Sequence, residues 1–158
     1  MSVSALEGRA TRAAWIEEIR ATGAGTRLML DGDVAGGINA ALYGTRIDMC
    51  AGIGGSPEGV ATACAIKALG GVIQTILAPK DDEERARGEA AGLLFDHVYD
   101  ADSLVRSDNT FFVATGVTDG DFLDGVRFRK GGATSHSVVM RVATGTMRFL
   151  TAHHDFIR

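Results

Sequence analysis

The sequence has few cysteines and no excess of basic residues. Its only two cysteines, Cys50 and Cys64, lie in apolar stretches. We interpret them as reduced packing residues of a cytoplasmic protein rather than as a disulfide framework. Lys and Arg number 16 against 20 Asp and Glu, which gives a net charge of −4. This mild acidity argues against a dedicated nucleic-acid-binding protein.

The sequence also lacks the segments and motifs of several other classes of protein. No apolar run is long enough to span a bilayer, so we expect no membrane partner. The first residues lack a basic stretch followed by an apolar core, which predicts no signal peptide. Neither a G-x-G-x-x-G motif nor a Walker A lysine motif is present, which argues against the common nucleotide sites.

The pattern of apolar residues predicts one α/β domain over residues 1–158, since 46% of the residues are hydrophobic. Strands and helices alternate up to residue 114, which predicts a mainly parallel βαβ part flanked by helices. Short strands joined by glycine turns follow, which predicts an antiparallel C-terminal meander in a mixed sheet. The predicted helices are 13–22, 34–42, 58–69 and 81–91; the predicted strands are 27–30, 47–51, 72–77, 110–114, 125–129, 134–142 and 146–150.

The stretch from Gly54 to Glu58 carries the strongest signal of a binding site. Gly54 and Gly55 allow the backbone to approach a ligand closely. Ser56 is predicted to cap the following helix and Pro57 to take its first position. Free N–H groups at a helix start bind anions, phosphate above all. Because Glu58 would repel a phosphate unless a cation lay between them, the loop suggests phosphate, a metal, or both.

A second acidic loop follows the predicted strand 27–30. Asp31 and Asp33 flank Gly32 where ligands bind in open α/β sheets, at the carboxyl end of a strand. They could accept hydrogen bonds from sugar hydroxyls or hold a cation, although a plain Asp-rich turn is an equally good interpretation. The two loops together fit a phosphorylated sugar near Mg²⁺ or Mn²⁺. Asp31, Asp33 and Glu58 are too few for a complete two-metal site.

Other polar residues give weaker signals. The stretch 115–121 is a possible third ligand loop, but a simple turn is the favoured interpretation. Arg9 and Arg12 could bind phosphate, although single arginines are usually solvated. His136 shows no metal-ligand spacing, and the pair His153-His154 is predicted to lie in a loose tail.

With these loops in view, the sequence resembles class II fructose-1,6-bisphosphatase of the bacterial GlpX type. The resemblance covers nearly the whole chain but only the C-terminal half of the family. It is carried by the stretches 31–36, 52–60, 82–86, 114–120 and 134–141 in the family's order and spacing, which are DGDVAG, GIGGSPEGV, DEERA, ATGVTDG and TSHSVVMR.

The resemblance implies hydrolysis of the 1-phosphate of fructose 1,6-bisphosphate in gluconeogenesis, with Mg²⁺ or Mn²⁺ as cofactor. Some relatives also act on sedoheptulose 1,7-bisphosphate. By motif, Asp31, Gly32 and Asp33 would contact the sugar bisphosphate, Gly55 would contact it through its backbone, and Glu58 would ligate a metal. These assignments agree with the charge argument for Glu58.

Two departures from the family matter. An Arg-Pro-Arg-His segment that meets substrate in the family aligns with residues 9–12, where Arg9 keeps the first arginine, Thr11 replaces the second and Arg12 replaces the histidine. The Asp-Pro-x-Glu-Gly-Thr motif of the N-terminal half is missing, because Pro57 and Pro79 are the only prolines and neither follows Asp.

Two hypotheses follow. The chain is the substrate-side half of a bisphosphatase whose N-terminal half, in cis or in trans, supplies most metal ligands. Alternatively, it is a non-catalytic module that binds a sugar phosphate or a nucleotide. In either case a half-protein would expose apolar surface, so we also expect a homo-oligomer.

Overall fold

A computed structural model describes residues 2–6, 9–29 and 32–157, with side chains from residue 13 onward. The helices are α1 (Arg9–Ala21), α2 (Asp33–Ala41), α3 (Ser56–Leu69), α4 (Asp82–Ala90) and α5 (Ala101–Leu104), with a 3-10 turn at Val142–Thr144. The strands are β1 (Ser2–Leu6), β2 (Gly25–Leu28), β3 (Met49–Gly52), β4 (Gln74–Thr75), β5 (Tyr99–Asp100), β6 (Phe111–Thr115), β7 (Arg127–Arg129), β8 (Gly132–Arg141) and β9 (Thr146–Asp155).

A parallel three-stranded sheet opens the fold. Its strand order is β2-β1-β3, and both outer strands run parallel to β1. The carboxyl ends of β2 and β3 therefore lie at the same edge, and each strand leads directly into a helix, α2 or α3. This edge brings the two predicted ligand loops together.

An antiparallel four-stranded sheet closes the fold. The ten-residue strand β8 pairs with β9 along its whole length. On its other side, β8 pairs with β6 and β7, which lie one after the other along the same edge. The predicted combination of a parallel βαβ part and an antiparallel C-terminal meander is confirmed, with the strands divided among three sheets. In the third sheet β4 pairs antiparallel with β5, so the predicted strand 72–77 contracts to two residues.

Helix α3 lies at the centre of the molecule, between α2 and the antiparallel sheet. Its first turn is exposed, whereas most residues from Thr62 to Ala68 are buried, including the small Ala63, Ala65 and Ala68. Against it pack Val138 and Met140 of β8, both fully buried. Gly37 of α2 is pressed so closely against α3 that a Cβ atom there would lie 2.6 Å from Cγ2 of Thr62. This close packing fixes the starts of α2 and α3 relative to each other.

Several local predictions need correction. Gly55, not Ser56, is the N-cap of α3, and Ser56 is the first residue of the helix. His153 and His154 lie in β9, because β9 pairs with β8 five residues beyond its predicted end. Their rings bond to the neighbouring strand, His153 Nδ1 at 3.1 Å from Thr134 Oγ1 and His154 Nε2 at 2.8 Å from Ser135 Oγ.

Among the described residues, no helix has the length and apolar character to cross a bilayer.

Candidate functional site

The starts of α2 and α3 form the floor of the candidate site. Gly32 is the N-cap of α2 and has a left-handed backbone with φ of 91°, which favours glycine. Gly55 is the N-cap of α3. Because both N-caps are glycines, neither N-cap residue offers a side-chain acceptor to the first-turn N–H groups. Two helix starts at one sheet edge make a suitable environment for an anion.

Two carboxylates fold over the glycines of the second loop. Oδ2 of Asp33 lies 2.6 Å from the position that a Cβ atom at Gly54 would take. A Cβ atom at Gly55 would overlap the carboxylate of Glu58. A side chain at either position would therefore displace a carboxylate from its place beside the backbone. The structure brings Asp33 to the same loop as Glu58, as the sequence predicts for successive strand ends.

For two predicted site residues, no side-chain position is described. Asp31 lies outside the described residues. Arg9 is described only through its backbone, as the first residue of α1. Gly32, Asp33, Gly55 and Glu58 are the predicted residues that the structure places at this edge.

The thiol of Cys50 lies close to the site on β3. Burial raises the pKa of Cys50, and the negative charge of Asp33 raises it further. Both effects disfavour the thiolate, which is the nucleophilic form of cysteine. Its sulfur instead fills space against α2, within 3.3 Å of the position that a Cβ atom at Gly36 would take. The prediction that Cys50 is a packing residue fits this environment.

The loop between β6 and β7 forms a wall beside the start of α2. A cavity of about 410 Å³ lies between them, and it is lined by Met29, Gly32, Ala35, Asp119, Gly120 and Asp121. The guanidinium of Arg27, on β2, donates to the carboxylate of Asp121 and so ties this wall to the parallel sheet. Gly55 and Glu58 are not among the lining residues, so the cavity extends the site on the side of α2.

Asp119 holds this wall in shape. Its carboxylate accepts a hydrogen bond from the backbone N–H of Gly125 at 2.9 Å and from the guanidinium of Arg127 at 2.9 Å. The Gly125 N–H is the main reason that the pKa of Asp119 is lowered, followed by Arg127. The sequence suggested 115–121 only as a weaker ligand loop. Its position depends on Arg127, at the start of β7, and on the distant partner Arg27, which no local pattern reveals.

A smaller cavity of about 240 Å³ lies on the other side of the same loop. It is lined by Gly120, Asp121, Phe122, Leu123, Asp124, His136, Ser137, Phe149, Leu150 and Thr151. Nδ1 of His136 is buried there without a hydrogen-bond partner among the described residues, at 4.0 Å from Oδ2 of Asp124. Gly120 and Asp121 separate this cavity from the larger one.

The donor atoms at the site fit only part of a metal shell. Mg²⁺ requires about six oxygen ligands in octahedral geometry. Within the described part of the chain, no three His, Cys, Asp or Glu side chains come together in a way that could hold a metal ion. Asp33 and Glu58 are the two carboxylates at the helix starts. They suit a hard cation chemically but would leave most of its coordination positions to other groups.

Helix starts and carboxylates at one edge of a parallel sheet are typical of α/β proteins that bind phosphorylated ligands. Comparison with known proteins identifies the group. Residues 2–154 match the family described as bacterial fructose-1,6-bisphosphatase, glpX-encoded, and the chain belongs to this family. The resemblance predicted from the motifs is thereby confirmed.

Curated relatives show how much of the family the chain represents. A protein of Synechococcus elongatus (strain PCC 7942), named D-fructose 1,6-bisphosphatase class 2/sedoheptulose 1,7-bisphosphatase, is 39% identical over 154 residues, which cover 89% of this chain and 45% of the relative. A protein of the same name from Thermosynechococcus vestitus is 38% identical over 155 residues, with the same coverage. The chain therefore spans a little under half the length of the relatives it matches.

Proposed function

We propose that this chain is the substrate-side half of a class II fructose-1,6-bisphosphatase, which removes the 1-phosphate of fructose 1,6-bisphosphate in gluconeogenesis. The observation that carries the proposal is the convergence of Gly32 and Asp33 with Gly55 and Glu58 at one sheet edge, in a chain of this family. The names of the relatives support the substrate class and extend it to sedoheptulose 1,7-bisphosphate.

Each group at the edge suits one part of the substrate. The first-turn N–H groups at Gly55 bind phosphate oxygens, since the N-terminus of a helix favours negative charge. Asp33, with Gly32 and Asp31 beside it, accepts hydrogen bonds from sugar hydroxyls and so orients the ester. Arg9, at the start of α1, binds a phosphate. Residues 1–158 act as a single domain in the cytoplasm.

Glu58 provides a carboxylate oxygen for Mg²⁺ or Mn²⁺. When bound, the divalent cation polarises the phosphoryl group and activates the attacking water. Because the described residues provide only part of a metal shell, the N-terminal half of the family must provide the other ligands, in cis or in trans. A cation held by Glu58 would also offset the repulsion between this carboxylate and a phosphate.

The experiment is phosphate release from fructose 1,6-bisphosphate with Mn²⁺, by this chain alone and with the remaining part of the Synechococcus elongatus relative. We expect activity only in the mixture, and a loss of at least a hundredfold in kcat with Glu58→Gln. Glu89→Gln is the matched control, since Glu89 is an exposed residue of α4, 3.8 Å from Arg85. Unchanged activity of the Glu58→Gln mixture would reject the role of Glu58.

A non-catalytic sugar-phosphate or nucleotide module is the second candidate. The observation that favours it is that the described residues do not gather three metal-ligating side chains. Under this alternative the assembled mixture would release no phosphate, while the isolated chain would still bind the sugar bisphosphate or ATP. A homo-oligomer stays a prediction that light scattering can test.

A further inference from the structure

The larger cavity, of about 410 Å³, continues the candidate site on the side of α2. Gly32 belongs to both, since it is the N-cap of α2 and also lines the cavity. Asp33 follows it, with Oδ2 at 2.6 Å from the position that a Cβ atom at Gly54 would take. Gly55, with the Glu58 carboxylate beside it, comes next and does not line the cavity. A ligand that is held at Gly55 and passes Asp33 would therefore enter the cavity with its far end.

The larger cavity has one apolar side and one polar side. Met29 and Ala35 form the apolar side. The loop between β6 and β7 forms the polar side through Asp119, Gly120 and Asp121. A sugar carbon chain has the same division, because it carries both C–H and O–H groups. At about 410 Å³ the cavity also falls within the range of about 300–1,000 Å³ that is usual for small-molecule sites.

The polar side of the cavity combines hydrogen-bond acceptors with balanced charge. Asp121 is paired with the guanidinium of Arg27, and Asp119 with that of Arg127. The net charge of these four side chains is therefore zero, which limits the repulsion of a phosphorylated ligand. An ionised carboxylate has about four acceptor positions, so both aspartates keep acceptor capacity after pairing with arginine. Sugar hydroxyls are suitable donors for it.

Two small residues on opposite sides keep the cavity wide. Ala35 lies in α2 and Gly120 lies in the loop between β6 and β7. A Cβ atom at Gly120 would have only the carbonyl oxygen of Leu123, at 3.7 Å, within 4 Å. The φ angle of Gly120 is not positive, so other residues can adopt its backbone. A larger residue at position 35 or 120 would therefore take space from the cavity without straining the backbone.

We propose that the larger cavity holds the end of the sugar bisphosphate remote from the 1-phosphate, and that Ala35 and Gly120 leave the room that a seven-carbon sugar needs. Sedoheptulose 1,7-bisphosphate is one hydroxyl-bearing carbon longer than fructose 1,6-bisphosphate, and the additional carbon lies between α2 and the loop. The inference rests on the proposed function, because it takes the same substrates. It adds the residues that determine which chain length is accepted.

The first test compares kcat/KM for the two sugar bisphosphates in the assembled mixture with Mn²⁺. Ala35→Leu should lower the ratio of kcat/KM for sedoheptulose 1,7-bisphosphate to that for fructose 1,6-bisphosphate at least tenfold, because the larger side chain occupies the space of the additional carbon. Gly120→Val should lower the same ratio from the opposite side of the cavity. Ala90→Leu is the matched control, since Ala90 is exposed at the end of α4, and it should leave the ratio unchanged.

A second measurement locates the ligand in the wild-type chain and needs neither activity nor a variant. The methyl carbon of Met29 lies at the cavity, 3.8 Å from the position that a Cβ atom at Gly32 would take. With ¹³C-labelled methionine methyl groups, either sugar bisphosphate should shift the NMR resonance of Met29 and leave that of the fully buried Met140 unchanged. Inorganic phosphate, which suits the helix starts alone, should shift Met29 several-fold less. A Tm shift with the sugar bisphosphates but an unchanged Met29 resonance would overturn the proposal.

The two measurements separate this inference from the proposed function. An assembly that releases no phosphate, from a chain whose Met29 resonance responds to both sugars and whose relative affinity for the longer one falls with Ala35→Leu, would reject the function and keep the cavity. Phosphate release whose substrate ratio ignores both Ala35→Leu and Gly120→Val would reject the cavity and keep the function. If neither sugar bisphosphate binds the chain or is hydrolysed by the assembly, both are rejected.

Discussion

At the scale of single residues, the site contains two adjacent glycines, each of which leaves room for a different carboxylate. Asp33 occupies the space beside Gly54, and Glu58 occupies the space beside Gly55. A methyl group at either position would collide with an oxygen that the proposed function requires. These glycines therefore leave room for the two carboxylates, and they also leave the backbone open to a ligand.

Gly55→Ala tests this coupling. The new Cβ atom would overlap the Glu58 carboxylate, so the side chain must rotate away from the helix start. We expect the assembled enzyme to lose at least tenfold in kcat/KM, with an increased requirement for Mn²⁺. The measurement is phosphate release at varied Mn²⁺ concentration.

Gly59→Ala is the control for that substitution. Gly59 lies in the first turns of the same helix, and no atom would lie within 4 Å of its added Cβ. Alanine should stabilise α3 by about 0.5–1 kcal/mol through its higher helix propensity, with unchanged activity. Equal losses from Gly55→Ala and Gly59→Ala would mean that any change in this helix disturbs the site, and the steric argument would fail.

At the scale of elements, the sequence predicted α3 and the position of the two glycine loops at helix starts well because their signals are local. Glycines, a proline and a small-residue run define the start and length of α3. The lengths of several strands were predicted less well. Pairing with each other makes β8 and β9 longer than predicted, whereas β4 is shorter because it pairs with only two residues of β5. The short helix α5 is absent from the predicted elements, and a capping box between Asp100 and Ser103 supports it.

The loop between β6 and β7 shows why part of the site could not be predicted. Its local sequence is that of a turn. Its place beside Gly32 is set by Arg27, which lies 94 positions before its partner Asp121. A pairing over this distance leaves no periodic pattern. The sequence therefore shows which residues have suitable chemistry, and tertiary contacts decide which of them meet.

Asp119→Asn tests the stability of this loop as a function of pH. The pKa of Asp119 is lowered in the folded state, by the Gly125 N–H first and Arg127 second. Its stabilising contribution is therefore fully present above the unfolded-state pKa of about 3.9 and is lost as the pH falls through the lower folded-state pKa. We expect wild type to be more stable than Asp119→Asn at pH 6, and this difference to be smaller at pH 2.

Urea unfolding at both pH values gives this difference directly. Asp96→Asn is a suitable control, since Asp96 is an exposed carboxylate outside the loop. It should leave the stability nearly unchanged at both pH values. A gap between wild type and Asp119→Asn that is as large at pH 2 as at pH 6 would show that the ionised carboxylate does not hold the loop.

At the scale of the whole molecule, helix α3 connects the site edge to the core. Its first turn carries Glu58, and its buried alanines pack against the antiparallel sheet. Under the proposed function, the isolated chain keeps the groups that recognise the ligand and lacks most of the metal ligands that act on it.

The isolated chain should therefore gain stability from fructose 1,6-bisphosphate even without phosphatase activity. At ten times the dissociation constant, a ligand that binds only the folded state adds about 1.4 kcal/mol. For a domain of this size that raises Tm by about 3–6 °C. Asp33→Asn should reduce the shift, because Asp33 orients the sugar, while Asp96→Asn should preserve it.

Equimolar inorganic phosphate and ATP measure any general effect of anions. A Tm shift with ATP but none with the sugar bisphosphate would contradict the bisphosphatase assignment and favour a nucleotide-binding module.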